Sequence, residues 1–244
     1  MSADDKETFP SAWTRPRRQR ERPALSRKQI VAEAVRLLDA EGVNALSMRR
    51  LGARLGAGAT SMYSHVTSKD ELIELAVDEV YAEIQVPDAD DPAGWRASLS
   101  ASAHSLRSMI LRHPWMASLL GQVGLAYLGP NVMRLNERML ALCEAAGFSL
   151  EEANQAMSAV AAYVIGSGTS EAAWLTLLAR SGQNERDLTE RLRPAVEQAA
   201  QPYPRLRRHF AAYVRQDPQR SRDDDFTYGL DRILDGLEAR LGHR

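Results

Sequence analysis

Between Ser47 and Val66 the sequence carries two short apolar stripes separated by Gly56-Ala57-Gly58, and few folds accept that arrangement. Met48, Leu51 and Leu55 recur at helical spacing before the turn, and Met62 and Val66 after it. Glycine at the junction permits the sharp reversal of a helix-turn-helix. The second helix, Ala59 to Val66, spans only about two turns, and Thr60, Ser61, Tyr63, Ser64 and His65 on it are small or polar. So little apolar surface does not justify a helix for packing alone. Its N-terminal end, held outward by the helix before it, suits a DNA major groove about 12 Å wide.

Helix starts are well marked elsewhere. Ser26 with Gln29, Ser68 with Glu71 and Ser149 with Glu152 each fit the capping-box pattern, in which two side chains satisfy backbone N–H groups reciprocally. After Ser26, the residues Ile30, Ala34, Leu37 and Leu38 form one stripe and Gly42 supplies a stop. A fourth helix is expected from Ser68 to about Ile84, presenting Leu72, Leu75 and Ala76 inward. The acidic, proline-bearing stretch QVPDADDPAG at 85–94 follows. Amphipathic stretches then run at 93–112, 114–126, 130–146, 150–178, 185–200, 203–216 and 223–241. Pro114, Pro130, Pro202 and Pro218 sit near their boundaries, where proline is tolerated. No strand-like alternation interrupts them. The pattern predicts an all-α protein in three parts. Residues 1–25, with RPRRQRER and three prolines, read as a disordered basic extension. Residues 26–70 read as a three-helix helix-turn-helix head, and 71–244 as a helical ligand-binding and dimerisation domain.

Charge separates these parts. The net charge of -1 conceals thirteen Lys+Arg against seven Asp+Glu in residues 1–69, and eighteen against twenty-five in the remainder. A basic head on an acidic body places the attraction for polyanions at one end only. The extension reads either as a solvated tail or as an arm that follows phosphates or enters a minor groove. The lone Cys143 cannot form an intrachain disulfide and reads as a buried thiol in a reducing cytoplasm. MSADDKETFP has no apolar core of a secretory signal, and no apolar run reaches the roughly 18 residues of a membrane span. These features predict a cytoplasmic protein.

The phrase LGAGATSMYSHVTSKDEL resembles the tetracycline-repressor (TetR) family, as does the upstream IVAEAVRLLDAEGVNALSMRRLGARLG. The resemblance is strong over 25–84. It continues more loosely through GFSLEEANQAMSAVAAYVIGSG at 147–168, which is similar to that family's long dimer-forming helix. It implies a homodimer on a palindromic double-stranded operator, read by Ser47, Arg49, Ala59, Thr60, Ser61, Tyr63, His65 and Lys69. Arg49 is implied as the base-reading arginine, a role suited to guanine O6 and N7. Ala59, Thr60 and Ser61 would meet thymine methyls and groove shape. Tyr63, His65 and Lys69 would position the head on phosphates. A cation at Lys69 opposes the macrodipole of the helix it begins, and an adjacent phosphate would relieve that.

Met and aromatic residues concentrate in 104–174. Singly such residues are core; together with polar neighbours they suit an apolar cavity with a few polar fixings. His113, Trp115, Met116, Tyr127, Met133, Asn136, Met139, Tyr163, Ser167 and Trp174 are therefore the expected contacts of a small hydrophobic or aromatic effector. The family's tetracycline branch holds a magnesium-chelated drug with a histidine. Neither His104 nor His113 has spacing that commits a metal site, so no metal and no cofactor are expected. The small residues of 150–174 and the leucine-rich stripe Phe226, Leu230, Ile233, Leu234, Leu237 and Leu241 suit close helix packing, either between subunits or within one. An all-α enzyme or carrier is the rival class, but the chain carries no catalytic residues: no nucleophile elbow, no paired carboxylates on one helix face and no phosphate loop. A ligand-blind architectural DNA protein is the other rival. The sequence favours a ligand-responsive regulator, most readily a repressor released by its effector.

Overall fold

The computed structural model describes residues 25–91, 93–120, 128–213 and 217–242. Among them lie ten α-helices and no strand. The first four are α1 (Arg27–Glu41), α2 (Met48–Leu55), α3 (Ala59–Tyr63) and α4 (Lys69–Tyr81). Then come α5 (Gly94–Arg112), a 3-10 helix at Pro114–Ser118, α6 (Pro130–Ala145) and α7 (Leu150–Ser181). The chain closes with α8 (Glu185–Ala200), α9 (Pro204–Tyr213) and α10 (Pro218–Gly242). The expected extension lies outside the described residues except for Leu25, which packs on the core. No helix among the described residues is long and apolar enough to cross a membrane.

Local signals place the head. The Ser26 and Ser149 capping boxes form in full, opening α1 and α7. The Ser68 box forms by half. Its hydroxyl accepts from the Glu71 N–H at 3.0 Å, but the Glu71 carboxylate turns to the Thr67 N–H and hydroxyl, each 2.6 Å away. Those two hydrogen bonds and Arg27 at 2.8 Å hold its carboxyl below the usual range. Gly56 ends α2 in the left-handed region at φ 61°, a conformation an L side chain resists. Leu51, Met62 and Val66 are fully buried under α1 with Ile30, Ala34, Leu37 and Leu38.

The head and the body share one apolar core. The buried cluster that starts at Ile30 runs without a break through Leu72, Ala76, Leu99, Met109, Met116 and Val164 to Leu234. The fourth helix carries that continuity because it packs on α1 and on α6. It ends at Tyr81, short of Ile84, yet Ala82, Glu83 and Ile84 each bond back three residues, so the last turn tightens rather than stops. The stretch expected as a helix from 114 is a 3-10 turn as far as Ser118, because His113 leaves helical geometry and proline follows it. Cys143 is buried, and desolvation pushes its thiol up to about 11, which makes it inert.

Within the body, α7 packs against α5, α6 and α10. Phe226, Leu230 and Leu234 of the leucine stripe point into this protomer's own core. On α7, Ala156 and Gly168 are buried, but Ala159, Ala162 and Gly166 remain exposed. The stripe thus serves intramolecular packing, and a different face stays open. Charges also run through this region. Arg107 is buried and holds Glu171 with two hydrogen bonds of 2.8 and 3.0 Å, and Asp223 with a third at 2.8 Å. Arg222 continues the chain to Glu171 at 3.2 Å and Glu185 at 2.6 Å. Breaking a buried pair leaves an uncompensated charge. Because Asp223 would still hold Arg107, Glu171→Ala should cost about 3 kcal/mol, at the lower end for such losses, read as a lowered urea midpoint. Wild-type stability in that variant would show that the network contributes nothing.

Candidate functional site

The end expected to face DNA is built by α2 and α3. Ser47 caps α2, accepting from the Arg50 N–H at 3.2 Å, so its hydroxyl is engaged by its own helix. Three arginines follow, and α1 distinguishes between them. Arg50 pairs with Glu41 at 2.6 Å, and Arg54 with Glu33 at 2.5 Å. Burial would raise the Glu33 carboxyl, but Arg54 and Arg36 outweigh it and hold it low. Arg49 is exposed and pairs with none of the described residues. It alone of the three keeps its guanidinium for an external acceptor. Ser61 and Tyr63 are exposed, Tyr63 at 52%, and His65 is half-buried. Ala59 and Thr60 belong to α3, but their side chains lie outside the described ones. Lys69 is half-buried, and its Nζ donates to the Val43 carbonyl at 3.1 Å. That carbonyl offsets part of the unfavourable placement of a cation at a helix start, a partner that sequence reasoning missed.

Two carboxylates, one on α1 of the head and one on α4, tie these helices to the rest of the body. Asp39 of α1 receives the Trp115 indole N–H at 2.7 Å, and the His113 Nδ1 lies 2.6 Å from the same oxygen. The other ring nitrogen of His113 lies 3.1 Å from Glu83, which Arg112 also holds at 2.7 Å. Burial would raise Glu83, but the hydrogen bonds of Arg112 and His113 keep its carboxyl low. The second engagement is Asp78 of α4. Its carboxylate accepts from the backbone N–H of Asn131 at 2.8 Å and of Val132 at 3.1 Å, and from the Asn131 amide. It is an N-cap for α6 supplied from another helix, where Gly129 provides no capping side chain. A Cβ on Gly129 would fall 2.2 Å from Asp78 Oδ1, so glycine is required for the approach.

These contacts redistribute the residues expected around an effector. His113 and Trp115 form the joint with α1, and Met116 is fully buried core. None of the three lines the body's described cavities: Asp39 engages the Trp115 indole and one nitrogen of His113, and Met116 is packed in the core. Met133 is exposed on α6, and Tyr127 lies outside the described residues. Tyr163, Ser167 and Trp174 border a recess of 300 Å³ beside Arg107 and Glu171. There the Tyr163 hydroxyl donates to the Phe226 carbonyl at 2.9 Å, and the Trp174 indole to Glu185 at 2.6 Å. Among the described residues, Asn136 and Met139 are the expected contacts that meet at a cavity between α4, α5, α6 and α7.

That cavity has a volume of 480 Å³ and lies between α4, α5, α6 and α7. Tyr81 and Ile84 close it from the α4 side; Leu106, Leu135, Met157 and Ile165 make its wall apolar. No charged side chain is among its described lining residues; Ser102, Asn136, Asn154 and Ser158 supply polarity. A larger cleft of 1010 Å³ lies by α8 and α9. It is bordered by charged groups such as Glu185, Arg193 and Arg222, and no residue of α1 to α6 lines it. Of the two, the smaller cavity is the one lined from α4, the helix that packs on α1 of the head. Leu106 and Ile165 there escaped sequence reasoning because aliphatic residues at helical spacing look the same in a core and in a cavity wall.

Comparison with known proteins agrees with this architecture. Residues 30–76 match the family of bacterial regulatory proteins called the tetR family, and residues 86–241 match a tetracyclin repressor-like C-terminal domain. An HTH-type transcriptional regulator of Saccharopolyspora erythraea is 43% identical over 165 residues, covering 67% of this chain and 69% of the relative. The HTH-type transcriptional repressor DrrR1 of Streptomyces coeruleorubidus is 32% identical over 247 residues, covering 100% of this chain and 89% of its own. Among solved structures, ActR of Streptomyces coelicolor in complex with actinorhodin superimposes with a TM-score of 0.70 at 31% identity, covering 89% of this chain and 99% of ActR.

The cap that α4 supplies to α6 yields a measurable expectation. Asp78→Ala should lose about 1–2 kcal/mol of stability, since it removes an N-cap. Asp78→Asn should lose less, because an amide oxygen also caps. Equal losses for the two variants in chemical denaturation would mean that the carboxylate charge, not the cap, is what matters.

Proposed function

The chain belongs to the tetR family of bacterial regulatory proteins, and on that premise we propose how this regulator works. It is a repressor that binds a palindromic operator in the cytoplasm as a two-fold dimer and releases it when a small, uncharged, hydrophobic effector enters the 480 Å³ cavity. The observation that carries the reading is the position of α4. One helix packs on α1, caps α6 and closes the cavity. An effector that binds one setting of α4 more tightly than another shifts the population of head orientations. Two heads must present their recognition helices about 34 Å apart to read one face of DNA, so a modest tilt suffices for release. The repressor DrrR1 and the ligand complex of ActR support both halves of this reading.

On the DNA, Arg49 reads a base and Ser61 with the start of α3 enters the groove, while Tyr63, His65 and Lys69 position the head on phosphates. Support comes from the pairing pattern, which leaves Arg49 unengaged but ties Arg50 and Arg54 to α1. The test uses operator fragments carrying single-base substitutions. Arg49→Ala should cost about 1–3 kcal/mol and flatten the preference at one base pair of each half-site. A uniform loss with preference retained would make Arg49 a backbone contact. Titrating the wild-type complex with hydrophobic aromatic compounds should release the operator. Binding that no compound alters would favour a ligand-blind protein.

The dimer forms through the face of α7 that carries Ala159, Ala162 and Gly166, with α10 alongside. These residues are exposed in the protomer, and small side chains let a second helix approach closely. Leu234 is unsuitable as a probe of that interface, since it is fully buried in its own subunit. Ala162→Arg should fold normally and sediment as a monomer at micromolar concentration. A dimer of unchanged affinity would place the interface elsewhere.

A further inference from the structure

Within the cavity one polar group stands out. Tyr81 is 8% exposed and borders the cavity from α4. Its hydroxyl makes no hydrogen bond to the described residues, unlike that of Tyr163, which donates to the Phe226 carbonyl. Nor is the oxygen sealed off: among the described residues the one sealed, unpartnered side-chain polar atom is the Ser98 hydroxyl. Burial pushes the Tyr81 phenol up to about 12, so it keeps its proton and remains a donor at any physiological pH. A donor that is accessible and unmatched among the described residues is free to meet a partner, and the cavity it borders is where one can arrive.

The same cavity is lined by Asn136 of α6, whose amide bonds to none of the described residues. Both residues lie close in sequence to the clamp between their helices. Tyr81 follows Asp78 by three residues on α4, the spacing that puts two side chains on one helix face, and Asn136 follows Asn131 by five on α6. Met139 and Met157 in the wall add polarizable sulfur that favours aromatic rings.

Building on the effector reading above, we propose that Tyr81 is the specificity-determining contact of the cavity: its hydroxyl donates to a ring carbonyl or phenolic oxygen of an uncharged, fused-ring aromatic effector, with Asn136 engaging the same molecule from α6. A ligand held by both residues acts on a helix pair already pinned by Asp78, so its binding bears directly on the helix that supports the head. An aromatic hydrocarbon of the same shape fills the cavity without that bridge.

The experiment compares 9-fluorenone with fluorene, two neutral three-ring molecules that differ by one carbonyl, on the full-length wild-type protein and on Tyr81→Phe. Wild type should bind fluorenone about tenfold more tightly than fluorene, the factor a net hydrogen bond supplies, and fluorenone should release operator DNA at the lower concentration. Tyr81→Phe keeps the ring, so operator affinity without ligand should stay within about twofold, while the preference for the ketone falls to near unity. Asn136→Leu, on the α6 side of the cavity, should reduce the same preference and serves if Tyr81→Phe folds poorly. A ketone preference that survives both substitutions overturns the role of Tyr81 while leaving the cavity as the effector site. If wild type binds neither probe, the cavity itself loses its assignment and the proposal falls with it.

Discussion

Everything else in this molecule depends on α4 being packed on two sides. A helix with one apolar stripe joins one core; a helix buried broadly around its circumference joins two. Leu72, Ile73, Ala76, Val77, Val80 and Tyr81 are all buried, which is more than one stripe of a thirteen-residue helix supplies. The head therefore has no separate core to fall back on. It shares one with the body, and close-packed interiors transmit displacement rather than absorb it. A cavity beside such a helix is positioned to matter for DNA binding in a way the larger cleft near α8 and α9 is not.

Polar contacts convert that packing into a defined geometry. Apolar burial is non-directional, so it holds α4 against α6 without specifying their register. The Asp78 carboxylate does specify it, because its acceptors must meet the two N–H groups that open α6. Asp39 does the same between α1 and the turn after α5. Exposed pairs such as Arg36 with Glu33 are of a different kind, since solvent screens them and their worth is small. The Arg107 and Glu171 pair lies deep enough that its loss would be felt, though its formation is no evidence of net stability.

The all-α architecture, the helix-turn-helix and the family resemblance were legible in the chain because they rest on neighbours in sequence. Ser26 with Gln29 and Ser149 with Glu152 capped helices as their spacing predicted, and Gly56 turned where a left-handed residue was needed. The Ser68 box went half astray for a local reason: Thr67 offered Glu71 both a backbone N–H and a hydroxyl. The effector contacts were far less legible. Trp115 and His113 look like ligand residues by type, and nothing in the sequence announces Asp39, more than seventy positions earlier, as their partner.

By itself, then, the sequence determined the all-α class, the capped starts at Ser26 and Ser149, the helix-turn-helix motif and the charge difference between the two ends, all relations among residues a few positions apart or sums over composition. Tertiary structure alone decided which arginine of α2 is left unengaged, which aromatic residues are joints, and which aliphatic residues enclose space. Those outcomes depend on a side chain meeting a group from a distant segment. Helical periodicity gives the direction a side chain leaves its helix, but whether it finds a carboxylate, a neighbour's methyl or a cavity is settled only when the helices close on one another.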